Sequence, residues 1–526
     1  MRTRLLRLLL LLPVAASNGV LIAGTLAEPL RIGHISIDAV PVYSDAEVTR
    51  GRFYGLVNVL HVQTRAELLR RFLLFQEGDP YDPIRLEETE RNLRLFDFLE
   101  SASVTASAPH DGMVDVAVVT HDALTTSVTG DFTNDGGVAS YDADISQKDL
   151  FGSGSELDLR VDHGVERSAN TIEFHHPAAF GPYWNLDTIY SKNSDGNQET
   201  IALERPLFFY RTPWTASFRF DHVLRNDRIF QRGEVATRFR QEHRQLAFSY
   251  AKVFHENREG SARFVGGFEA LDDAFSHLSG RPLDLIPDSR HFRFLDGGYE
   301  STRFRYVKLD YIDRDLREQD FNLGRFTSVH AAVSPHRSGN NALTFRLRAT
   351  EGAGYAFSEH SFVIGQISAS TRTPHDRNTI VSLDARSVTR FQTRYPQAFV
   401  TRVRLDLGWQ LDRDVQFLAE GQSGLRAYPD FAFEGSRRLI LNAEHRIFLG
   451  HELMQIFGPS IAVFADSGQA VNGPFRGMKS DAGVGLRIGI ARYDAALIRI
   501  DWAYALNASP LNRRGHVWSI STMHAF

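Results

Sequence analysis

From residue 124 onward, apolar and polar residues alternate in short segments. Glu156–Asp162, Thr215–Phe220, Phe304–Leu309, Thr344–Arg348 and Arg402–Trp409 each carry the two-residue period of a half-buried strand. Gly, Asn, Asp or Pro between them supply turns. No sustained amphipathic helix follows Ala123. The pattern ahead of it differs. Ile35 and Ile37 alternate with His34, Ser36 and Asp38, which predicts a strand over Arg31–Val40. Thr64-Arg-Ala-Glu67 has the form of a capping box, and Leu69, Phe72 and Leu73 give the helix after it an apolar face, stopped by Gly78 and Pro80. Asp82-Pro83 opens a second helix, with Leu86, Leu93 and Phe96 inward. Val104 and Val114–Val119 read as strands joined through Asp111-Gly112. Residues 41–63 stay open, and Phe53–Val62 reads as a strand or an early helix. The order is β-α-α-β-β within 28–123: one small α+β domain ahead of a strand-rich region spanning 124–526.

The first residues read as a targeting segment. Arg2, Arg4 and Arg7 precede an apolar run from Leu8 to Ala16, and Thr25-Leu26-Ala27 offers small residues for cleavage after Ala27. Asn18 and Gly19 interrupt the run, which argues for a signal peptide over 1–27 rather than a spanning anchor.

Composition narrows the class. The chain has 526 residues, 43% of them hydrophobic, and a mean hydropathy of -0.26. Beyond the N-terminus no run of about 20 apolar residues occurs, so a helical membrane protein is excluded. Forty Gly and 38 Phe suit a turn-rich β protein. Without cysteine there is no disulfide or thiolate-metal site, and a net charge of -5 is too balanced for a nucleic-acid binder. Enzyme signatures fail as well. No Gly-x-Ser-x-Gly elbow occurs, and His451-Glu452 lacks a second His four residues on. His175-His176 would face opposite sides of a strand. Gly483-Val-Gly485 has no following helix, and small lumen-facing residues account for it better than a nucleotide loop. The expectation is a non-enzyme with no metal and no cofactor.

Two stretches carry the candidate chemistry. Gly424-Leu-Arg-Ala-Tyr-Pro429 is a loop, since Gly421, Gly424, Pro429 and Gly435 break every period, and the strand Arg437–Arg446 follows. A lone loop arginine such as Arg426 is usually solvated. Downstream, Phe464-Ala-Asp-Ser-Gly468 sets a carboxylate inside an apolar strand. Together they resemble the surface-antigen superfamily of outer-membrane β-barrels: the BamA, TamA and two-partner-secretion transporters. Asp149-Leu-Phe-Gly-Ser-Gly154 resembles the family's turn after its second strand, and Phe174-His-His-Pro177 a phrase on its fourth. Gly483-Val-Gly-Leu-Arg487 and Ile498-Arg-Ile-Asp-Trp-Ala-Tyr504 resemble its fourteenth and fifteenth strands. Gly78-Asp-Pro-Tyr-Asp82 and Leu93-Arg-Leu-Phe-Asp-Phe98 resemble phrases of its POTRA domain, and the chain ends in Phe526 as outer-membrane barrels do. The departures are Ala427, where the family has Gly, and Thr522 and His524 in the last strand.

The resemblance implies a mainly β fold: a sixteen-stranded antiparallel transmembrane barrel over 124–526, preceded by one POTRA-like domain over 28–123 in the periplasm. It also implies that Arg426 meets Asp466 inside the lumen, with Glu444 as a second carboxylate and Tyr428 at the loop tip. Phe464, Gly468, Gly483 and Gly485 would be strand motif positions. The expected activity is insertion or translocation of unfolded outer-membrane or secreted clients, with no cofactor and with accessory lipoproteins as possible further partners. Its device would be a weak seam between Leu124–Phe132 and Gly515–Phe526, loosened by Gly130, Gly136 and Gly137 and bounded by Phe526. The competing reading is a passive channel or structural surface barrel in the same bilayer.

Overall fold

The computed structural model describes residues 29–49, 52–135, 138–164, 167–231, 234–280, 283–312, 318–335, 342–374, 378–421, 423–449, 457–490, 497–509 and 515–522. The expected signal peptide, Gly136, Gly137, His451, Glu452, His524 and Phe526 lie outside them.

The N-terminal domain is built on a three-stranded sheet. Arg31–Val40 runs parallel to Met113–Asp122, which lies between it and the antiparallel Leu99–Ala106. Asp111 and Gly112 both take positive φ, 47° and 75°, in the turn between the last two strands. Four helices precede Leu99–Ala106 rather than two: Asp45–Val48, Arg52–Leu60, Ala66–Arg71 and Pro83–Arg94. The open stretch around Phe53–Val62 is therefore helical. Pro83–Arg94 starts with Asp82 accepting from the Ile84 amide at 3.1 Å. Ile35, Leu69, Phe72, Leu93, Leu99, Val116 and Val118 form the core of this domain, each burial being worth roughly 1.5–3 kcal/mol.

The capping box at Thr64 is not formed. Arg65 occupies the cap position with no side-chain bond. The Thr64 hydroxyl instead donates to Asp149 at 2.9 Å, a carboxylate in the second region of the chain. A local motif has yielded to a tertiary contact that satisfies a buried carboxylate. Other bonds tie the same places together. The Arg65 amide donates to the Gly152 carbonyl at 3.2 Å, and Asn92 donates to the Phe208 carbonyl at 3.0 Å. The Tyr183 hydroxyl donates to the Phe72 carbonyl at 2.6 Å.

The second region closes into an antiparallel barrel of 20 strands, not sixteen. It runs from Thr126–Asp135 to His516–Thr522, and these two strands pair with each other. The count of sixteen leaves long loops on one side of the barrel. Several turns are as tight as Asn193 to Gly196, Asn257 to Gly260 and Ser358 to Ser361, which frees residues for more strands. The stretches resembling the family's fourteenth and fifteenth strands are the eighteenth and nineteenth here, Lys479–Ile490 and Leu497–Ala505. The phrase expected on the fourth strand is on the fourth, Ser168–His176. Of the segments read from alternation, Phe304–Leu309 does not join the barrel. Tyr306–Leu309 pairs with Gln319–Asn322 in a separate hairpin.

Val128, Ile145, Leu159, Ile172, Val484 and Trp518 stand exposed on the outer wall. Inward positions of the same sheet hold buried Asp144, Ser146, Asp466, Asp481 and Arg487. An apolar exterior around a polar lumen, with no open sheet edge, is the arrangement that hydrocarbon requires of a β protein. The strands Trp214–Gln231, Glu234–Asn257 and Gly260–Gly280, of 18, 24 and 21 residues, run well past the 9–11 that suffice to cross it.

Gly152 carries the joint between the two regions. Its φ is +69°, and a Cβ there would meet the Gln63 carbonyl oxygen at 2.5 Å. Gly152→Ala is expected to cost roughly 1–2 kcal/mol from the left-handed backbone alone and to speed protease cleavage around residues 123–125. Gly473→Ala, at a far-rim glycine with open space around it, should leave cleavage unchanged.

Candidate functional site

Four neighbouring strands, Arg437–Phe448, Phe457–Val471, Lys479–Ile490 and Leu497–Ala505, make the wall of the site. Period-two alternation sends one set of side chains inward, and the register sorts them into rows. Asn442, Asp466, Asp481 and Ala505 stand side by side, as do Glu444, Phe464, Gly483 and Ala503. The next row is Arg446, Ala462, Gly485 and Asp501. Outward positions between them, Leu441, Val463, Val484 and Leu486, are exposed and apolar.

The loop of residues 410–421 and 423–436 leaves the far rim and folds into the lumen against this wall. Leu425, Ala427, Tyr428 and Phe433 of the loop pack with Ile440, Phe464, Ala470 and Ala503 of the strands. Farther out, Asp412 and Asp414 are held by Arg290 at 2.9 and 2.7 Å, and Asp412 also by Arg372. Gly424 turns the chain at φ +120° with Asn442 beneath it, and the Asn442 amide donates to the Gly424 carbonyl at 2.6 Å.

At the tip, Arg426 is buried and fully engaged. Its Nε donates to Asp466 Oδ2 at 2.7 Å and Nη2 to Oδ1 at 3.0 Å, the two-bond fork available to a guanidinium. Nη1 donates to Glu444 Oε2 at 2.6 Å. The guanidinium lies 3.4 Å above the centre of the Phe464 ring, where the π face attracts a cation. The structure therefore brings together Arg426, Asp466, Glu444 and Phe464. Tyr428 lies just above, its hydroxyl donating toward the carbonyls of Ser480 and Asn507 at 3.0 and 3.1 Å.

The glycines have steric causes. A Cβ at Gly483 would sit 2.4 Å from Phe464 Cζ and 2.2 Å from the Trp502 carbonyl oxygen, so only Gly lets the Phe464 ring lie flat. At Gly485 it would sit 2.0 Å from Asp501 Oδ1 and 2.3 Å from Arg487 Nη1. At Gly468 it would crowd Leu425 at 3.1 Å. Ala427 is accommodated because φ at this residue is not positive, and its amide donates to Asp481 at 3.3 Å.

Sequence reasoning named Arg426, Glu444 and Asp466 and missed Arg446, Arg487, Asp481 and Asp501. Arg446 and Arg487 are both 0% exposed. Arg446 Nε donates to Glu444 Oε1 at 2.8 Å, and Arg487 Nη1 to Asp501 Oδ1 at 2.6 Å. Asp481 and Asp501 are buried beside them. Strand parity with Glu444 and Asp466 was the available signal: each of the four occupies an inward position on its strand.

The remaining expected positions fall elsewhere. Gly130 pairs with Ala143 of the second strand, two residues before the described seam, which involves Phe132, Thr133 and Asn134. His175 and His176 have separate partners, Asp187 at 2.6 Å and Ser155 at 2.8 Å. Among the described residues no group of three or more His, Cys, Asp or Glu could hold a metal.

Removing one member of a fully buried pair costs about 3–5 kcal/mol, because the partner is left desolvated. Arg426→Ala should accordingly release the loop and open the Tyr428 peptide to protease. Arg426→Lys keeps charge but cannot form the fork to Asp466 while reaching Glu444, so an intermediate cleavage rate is expected. Exchanging the charges, Arg426→Asp with Asp466→Arg, should rescue only weakly, since Glu444 and Asp501 would then face an anion. Cleavage at the wild-type rate in both single variants would contradict this geometry.

No family model matches the sequence, and no curated protein does. Solved structures with a similar fold include CdiB from Acinetobacter baumannii, at 12% identity and TM-score 0.47 over 94% of this chain and 90% of that one. CdiB from Escherichia coli is similar at 12% identity and TM-score 0.47, over 96% of this chain and 92% of that one. BamA from Haemophilus ducreyi lacking POTRA domains 1–3 is similar at 10% identity and TM-score 0.38, over 94% of this chain and 84% of that one.

Proposed function

We propose that the protein is an outer-membrane insertion or translocation factor. Its POTRA-like N-terminal domain receives unfolded clients in the periplasm and its barrel seam passes them on. The observation that carries this reading is the seam itself. Among the described residues, the first and last strands share three residue pairs, Phe132–Ile520, Thr133–Ser519 and Asn134–Trp518. The first and last strands are also the one neighbouring pair that no stretch of chain joins directly, so the wall can part there without stretching a connection. A strand edge freed there offers unpaired N–H and C=O groups to an incoming strand.

A passive channel is supported less well. The lumen holds residues 410–421 and 423–436 from the far rim and residues 304–312 and 318–325 from the near rim, and both are anchored by buried ion pairs or apolar packing. The motif resemblance between Gly421 and Tyr504 favours the same superfamily reading. Accessory lipoproteins and client identity belong to this proposal as partners still to be found by binding experiments.

The test uses the cysteine-free background. Phe132 and Ile520 face each other across the seam and are both outward and exposed. With Phe132→Cys and Ile520→Cys, oxidation should stop the protein in liposomes from speeding insertion of an unfolded barrel client, and reduction should restore it. Equal insertion with the staple closed would overturn the seam mechanism. Insertion no faster than in empty liposomes, together with steady ion conductance, would establish the channel.

A further inference from the structure

The loop at the far rim is not the only segment inside the barrel. Residues 304–312 and 318–325 leave the near rim between Arg290–Arg303 and Phe326–Ser334 and turn inward as the hairpin of Tyr306–Leu309 and Gln319–Asn322. Leu309, Ile312 and Leu323 of this strap pack on Phe362, Val388, Val400 and Phe448 of the lumen wall. The fit is close: a Cβ on Gly354 would lie 2.7 Å from Leu323 Cδ2.

Both ends of the strap hold charged partners. On the outside, Asp320 accepts from Arg94 Nε and Nη2 at 3.0 and 3.1 Å. Lys308 lies 3.4 Å from Glu90, and the Arg91 guanidinium lies 3.9 Å over the Tyr306 ring. All three partners belong to the helix Pro83–Arg94 of the N-terminal domain. On the inside, the Ile312 carbonyl accepts from Arg446 Nη1 at 2.6 Å. Arg446 Nε donates to Glu444 Oε1, and Arg426 donates to Glu444 Oε2. One carboxylate thus takes a hydrogen bond from the far-rim loop on one oxygen, and on the other from the arginine that holds the near-rim strap.

We infer that Arg446 and the strap formed by residues 304–312 and 318–325 are positioning elements for the Arg426 loop, coupling the helix Pro83–Arg94 of the N-terminal domain to the far-rim loop through Glu444. A ligand that pulls the helix away from Asp320 withdraws Ile312 from Arg446. Arg446 then loses a buried acceptor, and its pairing with Glu444 is no longer fixed in direction. Glu444 is the only carboxylate among the described residues that both Arg426 and Arg446 contact, so its realignment reaches the loop without passing through the bilayer-facing wall. In the insertion reading proposed above, this is how a client on the N-terminal domain would loosen the external loop. The coupling is tested without any client, so its failure and the failure of that reading are separable.

Ala432 is buried in the loop and small, so Ala432→Cys supplies a single thiol in the full chain. Its rate of reaction with a membrane-impermeant maleimide in liposomes reads loop release. Asp320→Arg, which faces Arg94 with a like charge, should speed labelling about tenfold, a change of about 1.4 kcal/mol. Adding Arg94→Asp should return the rate to that of the starting protein. In an Arg446→Met background labelling starts fast, and Asp320→Arg should add less than twofold, the non-additivity that marks one connected path. Heat-shifted gel migration verifies a folded barrel in each variant, and Asp320→Asn replaces Asp320→Arg if the latter fails it, with a smaller change in the same direction. No change in labelling on breaking Arg94–Asp320, or equal multiplication of rates with and without Arg446, would overturn the coupling.

Discussion

A single buried carboxylate organises the interior. Glu444 is 0% exposed on a lumen-facing position of Arg437–Phe448, in a place where an unpaired charge could not stay ionised without great cost. It is tolerated because Arg426 and Arg446 each donate to one of its oxygens, with Arg487 3.4 Å away. The same requirement explains why Asp466 and Asp501 cluster with these guanidinium groups. Charges in a partly desolvated lumen must be matched, and the match fixes which segments can occupy it.

The wall is shaped to make that match possible. Phe464 lies flat because Gly483 has no side chain, and the flattened ring leaves room for the Arg426 guanidinium above it. Gly485 gives Arg487 and Asp501 the space to meet. These residues lie on three different strands, so their contact depends on barrel register. A one-residue slip would turn every inward charge toward lipid, and the apolar band outside would be lost in the same step. Register and the charge cluster therefore stabilise each other.

Much of this was legible from the chain. Alternation revealed strands such as Ser155–His163 and Gln397–Trp409, and an aspartate within apolar Phe464–Gly468 pointed to a partner inside. Strand number was not legible, because two-residue turns and longer loops leave the same local alternation on either side. Thr64 was misread for a related reason: its spacing to Glu67 suits a helix cap, but its hydroxyl meets Asp149, far along the chain. Phe304–Leu309 alternates like a barrel strand, since a hairpin packed on the lumen wall also has one apolar face. For Arg446 and Arg487 the signal was strand parity with Glu444 and Asp466 alone. Their role exists only once four strands are aligned.

The central claim is that the far-rim loop is a fixed part of the barrel interior. Its most direct measurement is native-state hydrogen exchange of the protein in lipid, read over Leu425–Tyr428. The Leu425 and Tyr428 amides donate to the carbonyls of Glu420 and Leu425 at 2.9 Å, and the Ala427 amide donates to Asp481. The account predicts protection of these amides comparable with that of the wall strand Phe457–Val471. Exchange as fast as in the exposed far-rim turn around Gly473 would contradict it.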